Sequence, residues 1–187
     1  MKHLVLLLLG TVAGSIPAAE PALPPAPAED RVGFPKDYQV KFEILRTVRR
    51  TKELKVVTVY GNKPAASVTN AAQLPYPYGS ILVMETAHAL KDAEGKPALD
   101  TAGELRRDKI AGIHVMRRER GFGEAYGKNR TAEWEYVEYR EDGTTITPAS
   151  KSATCAECHV KAGPARDFVY EARLGSQTVK PAASSEK

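Results

Sequence analysis

Alternating apolar and polar positions pick out a small set of strands. Lys55-Val56-Val57-Thr58-Val59-Tyr60 is a β-branched run, and Gly61-Asn62 stops it. Pro64 to Gln73, rich in Ala with Pro in its first turn, predicts a short helix. Pro75-Tyr76-Pro77-Tyr78-Gly79 predicts a turn, and Ser80 to Thr86 the next strand. Lys91 to Asp108 is a long polar connection. Ile110 to Arg117 and Trp134 to Arg140 predict two further strands, separated by Gly121-Phe122-Gly123. The connections are mostly too short or too polar for crossover helices, so the strands pair most easily as an antiparallel sheet. The predicted class is α+β, mainly β: a sheet of at least four antiparallel strands, a few short helices and a C-terminal helix. On these alternations Met84 shares a face with Leu82 and Thr86, and His114 shares one with Ile110 and Met116.

The N-terminus is of a different kind. Lys2 and His3 precede an apolar run from Leu4 to Gly14, far short of the roughly 20 residues of a spanning helix. A stretch rich in Pro and small residues follows. This pattern predicts a signal peptide over residues 1–19, cut somewhere between residues 14 and 28, then a Pro/Ala-rich linker over 20–33. An uncleaved membrane anchor is the competing reading. Residues 34–179 are one domain's worth of chain, and 180–187 read as a disordered tail. Export of this kind implies a periplasmic protein with no membrane span in its mature form.

Composition narrows the class. The 187 residues carry 27 Lys and Arg against 23 Asp and Glu, a net charge of +4, with 42% hydrophobic residues. That balance excludes collagen, coiled coil and membrane bundle. The basic residues fall in short clusters, Arg46, Arg49, Arg50 and Lys52, then Arg106 and Arg107, then Arg117, Arg118 and Arg120. Acids or apolar residues interrupt each cluster, which predicts solvated faces rather than a nucleic-acid surface.

The chemistry sits at Cys155-Ala156-Glu157-Cys158-His159, which holds the chain's two cysteines. C-x-x-C-H is the signature of covalent c-type haem attachment. Residues three apart on a helix share a face, so two thiols at that spacing can meet the two vinyl groups of one porphyrin edge. His159 is then carried beneath the iron as its proximal ligand, and Thr154 is the expected N-cap. A thioredoxin-like dithiol or a structural disulfide competes with this reading. Such a dithiol would follow a strand in a βαβ unit, whereas this motif follows a loop near the C-terminus.

Several segments, in order, give the chain a family likeness: Phe34-Pro35-Lys36-Asp37-Tyr38, Val59-Tyr60-Gly61-Asn62, Gly79-Ser80-Ile81-Leu82-Val83, Gly112-Ile113, Trp134 with Tyr136 and Tyr139, the C-x-x-C-H motif, and Asp167-Phe168-Val169-Tyr170. Over Phe34 to Tyr170 the chain resembles the cytochrome P-460 and cytochrome c′-beta family of exported monohaem proteins. The resemblance implies one covalently attached haem c, a mostly antiparallel sheet and a homodimer. Trp134, Tyr136 and Tyr139 become core aromatics around the porphyrin. In the hydroxylamine-oxidising members a lysine follows the Gly-Ser/Thr-x-x-Val strand pattern and cross-links to the macrocycle. This chain has Met84 there, and a thioether cannot form that amine bond. His114 falls where those enzymes carry a distal acidic residue that moves protons.

Two distal-pocket candidates follow. Met84 is a hydrophobic cap over the iron, a thioether ligand, or core filler. His114 is a distal base or hydrogen-bond donor, a second axial ligand, or a satisfied partly buried histidine. His88 is a weaker candidate, and His3 leaves with the signal peptide. The expected function is binding of a small gaseous or nitrogenous ligand such as nitric oxide, or transfer of single electrons with a soluble redox partner. The alternatives are an oxidoreductase of hydroxylamine or a similar compound, and a haem-free thiol redox protein.

Overall fold

The computed structural model describes residues 25–170 and Ala172. The segment read as a signal peptide, the first part of the linker and the C-terminal tail lie outside the described residues.

Among the described residues six strands form one antiparallel meander in chain order: β1 (Glu43–Arg50), β2 (Lys55–Gly61), β3 (Ile81–Ala89), β4 (Arg107–Arg118), β5 (Trp134–Tyr139) and β6 (Thr145–Thr147). Among the same residues three short α-helices accompany them: α1 (Tyr38–Lys41), α2 (Lys63–Ala66) and α3 (Ala153–Val160). The expected class, mainly-β α+β with an antiparallel sheet and a C-terminal helix, is the observed one. The helix expected over Pro64 to Gln73 is two pieces, α2 and a 3₁₀ turn at Ala71–Gln73. Asn62 and Asn70 each cap one of them by accepting from a backbone N–H, so the second cap interrupts what the alanines alone would continue. The polar connection after β3 makes the same tight turn twice. Asp92 Oδ1 accepts from the N–H groups of Glu94 and Lys96, and Asp100 Oδ1 from those of Ala102 and Glu104.

The sheet buries both faces. On one, Val83, Val115 and Val137 pack with Tyr60, Tyr139 and the N-terminal Val32 and Tyr38. Glu85 lies buried there and accepts from Tyr38 Oη at 2.5 Å, Gln39 Nε2 at 2.6 Å and Arg107 Nη2 at 2.8 Å. Within the stretch read as a linker, Arg31 donates from Nε to Glu135 at 3.1 Å, and Asp30 accepts from Tyr139 Oη at 2.6 Å. The other face packs Leu82, Met116, Trp134 and Tyr136 against Tyr76, Tyr126 and Ala156 of α3. Trp134 is fully buried, and burying an indole of that size removes about 150–250 Å² from water, a contribution of roughly 4–6 kcal/mol.

Register departs from simple alternation at one point that matters for the site. β4 pairs with β3 through Thr86↔Gly112 and then Ala87↔Ile110, so Ala111 is an extra residue. The bulge turns Ile110 to the opposite face, where it packs against the Val83 and Ile113 cluster. Ile110 therefore does not share a face with His114 and Met116, contrary to the strict period of two.

Candidate haem-binding site

α3 carries the whole C-x-x-C-H motif and lies across the second face of the sheet. Its seat is polar. Ser152, buried at the helix start, donates from Oγ to the Ala149 carbonyl at 2.6 Å and meets Tyr126 Oη at 2.8 Å. Tyr126 Oη in turn accepts from the Tyr136 N–H on β5 at 3.3 Å. Ser152, not Thr154, is the N-cap, and its side chain makes no capping bond. The 3₁₀ turn Ala149–Lys151 runs straight into the helix, so the Cys155 and Ala156 N–H groups reach the Ser152 carbonyl instead.

Between α3 and the sheet lies a cavity of about 550 Å³, lined by Cys155, Cys158 and His159 on the helix side. The opposing wall is a row of directly paired residues, one from each of five strands: Val59, Met84, His114, Glu138 and Thr147. A second row, Leu82, Met116 and Tyr136, adds apolar and aromatic surface. Arg50 also lines the cavity.

His159 is oriented by its neighbours. Its Nδ1 is 2.6 Å from the Phe168 carbonyl. A carbonyl only accepts, so Nδ1 holds the proton and Nε2 keeps its lone pair. The ring stacks on Tyr136, with centroids 4.5 Å apart and planes 29° apart, and meets the edge of Tyr170. Burial pushes the imidazole's pKa down, and the Phe168 contact opposes this only in part. Burial also raises the Cys155 thiol.

The far wall mixes polar and apolar groups. His114 Nε2 is 3.4 Å from Glu138 Oε1, and Thr147 Oγ1 donates to Glu138 Oε2 at 2.8 Å. His114 lines the cavity. Its pKa is lowered, first by burial; the Glu138 carboxylate pulls it upward and Lys55 pushes it further down. Glu138 has room because Gly112, two residues before its partner His114 on β4, has no side chain: a Cβ there would come 2.9 Å from Glu138 Oε1.

The structure thus brings five expected residues, Met84, His114, Cys155, Cys158 and His159, to one cavity. His88 is exposed and does not line it. Tyr139 is on the opposite face of the sheet and holds Asp30, so it is not among the cavity's aromatics. Trp134 lies behind the cavity wall, edge-on to Tyr76 at 5.7 Å. Glu138 and Thr147 were not among the expected residues. Glu138 follows Tyr136 by two positions and so occupies the same strand face, which was the available signal. Arg118 is also misplaced by the sequence reading: it is buried against Asp167, not on a solvated face.

A volume of about 550 Å³ falls within the ~300–1,000 Å³ typical of cofactor pockets. Two thiols on one helix face, an imidazole with a free Nε2 and an opposing wall rich in apolar side chains fit a haem held by a C-x-x-C-H helix. Among the described residues no helix is long and apolar enough to cross a membrane. No curated protein matches the chain. The family model for cytochrome P460 matches residues 35–171, from the segment before α1 to just beyond Tyr170. The chain therefore belongs to the cytochrome P460 family of haem proteins.

Proposed function

We propose that this chain is an exported, periplasmic c-type cytochrome with one haem. Cys155 and Cys158 form the thioether links, and His159 binds iron through Nε2. The other side of the pocket receives a small gaseous or nitrogenous ligand such as nitric oxide. One observation carries the reading: the motif helix and the row Val59–Met84–His114–Glu138 face each other across a single cavity.

When bound, a haem would supply an iron coordination site and one-electron chemistry. The chain's residues do the rest. Val59, Leu82 and Met84 exclude water and limit the size of what enters. His114, neutral at physiological pH because its pKa is lowered, accepts or donates a hydrogen bond within the cavity. Glu138 sits 3.4 Å from His114 Nε2 and is itself oriented by Thr147, so the pair can hold a proton near a polar ligand. Arg50, which lines the cavity, can pair with a haem carboxylate.

The polar pair favours a second reading, oxidation of hydroxylamine or a similar small nitrogen compound, without the lysine bond that Met84 forecloses. Six-coordinate electron transfer, with Met84 or His114 on the iron, is separated from both by spectroscopy. The thiol-redox alternative is disfavoured by the setting of the motif, on a helix that follows an antiparallel meander through a 3₁₀ turn rather than opening a βαβ unit.

The test is the absorption spectrum of the matured protein, oxidised and reduced, with and without nitric oxide or carbon monoxide. A high-spin spectrum that shifts with gas, with ligand release accelerated in His114→Ala and Glu138→Gln, is expected. A low-spin spectrum unmoved by either gas would replace ligand binding with electron transfer.

A further inference from the structure

The carbonyl that meets His159 belongs to an unusual turn. Asp167 and Phe168, neither a glycine, both have left-handed backbones with φ of 49° and 60°. Consecutive residues of this kind are costly and persist only where surrounding contacts hold them. Two backbone bonds brace the turn, from the Asp167 N–H to the Pro164 carbonyl at 2.9 Å and from the Phe168 N–H to the Gly163 carbonyl at 3.0 Å. The remaining brace comes from distant parts of the chain. Asp167 Oδ2 accepts from the Tyr76 N–H at 3.0 Å and from Arg118 Nη1 at 3.3 Å. Arg118 Nη1 also donates to the Tyr76 carbonyl, and its Nη2 lies 3.7 Å from Glu133. Arg118 is the last residue of β4, where its N–H donates to the Ser80 carbonyl at 2.9 Å. Arg118 and Asp167 are both buried. Neither lines the cavity, and the site described above makes no use of their pairing.

Resting on the haem reading above, we propose that Arg118 and Asp167 are positioning residues for the proximal histidine: their buried ion pair, closed through the Tyr76 peptide, clamps the strained Asp167–Phe168 turn so that the Phe168 carbonyl accepts from His159 Nδ1. A firm hydrogen bond at Nδ1 fixes the tautomer that leaves Nε2 free and makes the imidazole a stronger donor to a metal. The end of β4 and the loop before β3 are thereby connected to the haem's axial ligand without touching the pocket.

Two readouts on the full chain test this. In the haem-loaded protein, Asp167→Ala lowers the frequency of the ferrous iron–histidine stretch in the resonance Raman spectrum and raises the reduction potential. Asp167→Asn keeps an oxygen for the Tyr76 N–H and gives a smaller shift in the same direction, as does Arg118→Lys. In the haem-free chain, imidazole ¹⁵N shifts show His159 as the Nδ1–H tautomer in the parent and as a mixture in Asp167→Ala. Glu85→Gln, which disturbs a buried ion pair on the opposite face of the sheet, is the control for loss of stability alone and moves neither readout. The proposal is overturned if Asp167→Ala leaves the stretch and the tautomer as in the parent, or if Glu85→Gln shifts them equally. A parent chain that acquires no haem would instead refute the cofactor reading, while the ¹⁵N experiment still decides the clamp.

Discussion

Ala156, between the two cysteines, is fully buried and packs in the cluster that includes Met116, Tyr126, Trp134 and Tyr136. Glu157, the other residue between them, is exposed. The two intervening positions of the motif should therefore respond in opposite ways. Ala156→Leu forces three additional carbons into a site with no space, and overpacking of this kind typically costs about 1–3 kcal/mol. At about 2–4 °C per kcal/mol for a chain of this size, the melting temperature should fall by about 2–12 °C. Glu157→Ala changes a solvated side chain and should stay within about 0.5 kcal/mol, or about 2 °C. Thermal unfolding followed by circular dichroism on the haem-free full chain, parent and both variants, measures this directly. The packing of α3 on the sheet would be refuted if Ala156→Leu melted within about 1 °C of the parent, or if Glu157→Ala were the more damaging change.

Other consequences are equally checkable. Glu85→Ala strands Tyr38 Oη, Gln39 and Arg107; because Arg107 is half-exposed and can regain water, the expected cost is about 2–3 kcal/mol in urea unfolding, and a loss under about 1 kcal/mol would contradict the buried network. Burial lowers both His159 and His114 from their ordinary value, so below about pH 6.5 the unfolded chain binds protons the folded chain refuses. The haem-free protein should hold its stability above that pH and lose it progressively from about pH 6.5 downward. Asp167, raised by burial, acts in the opposite direction at more acidic pH, and a urea midpoint that climbs between pH 7 and pH 5 would reverse the histidine assignment. Met84→Lys restores an amine at the position of the family's cross-linking lysine; a strongly red-shifted reduced Soret band is expected, and an unchanged spectrum would mean Met84 does not face the macrocycle.

The strands legible in the sequence, β2 to β5, are those in the middle of the sheet, where Val56 to Tyr60, Leu82 to Glu85, Ile113 to Met116 and Trp134 to Val137 concentrate apolar, β-branched and aromatic residues. β1 escaped because it is an edge strand, its Arg46, Arg49 and Arg50 resembling a solvated cluster; charge on an edge is how sheets discourage further pairing. β6 has three residues, too few for any period to register. The motif on α3 was legible because its chemistry is local. Glu138 was not, since its role depends on lying opposite His114, which a register creates and a composition does not. Arg118 failed for the same reason: an arginine among arginines reads as surface until Asp167, far along the chain, is seen to bury it.

Covalent attachment of a single haem through Cys155 and Cys158 is the claim on which the rest depends. Intact-mass spectrometry of the chain matured with cytochrome c assembly machinery, after acidic acetone extraction, tests it most directly. The account predicts a mass increase of one haem that survives extraction and is lost when both cysteines are replaced by alanine. An unmodified mass in a colourless protein, with both thiols free or joined to each other, would contradict it.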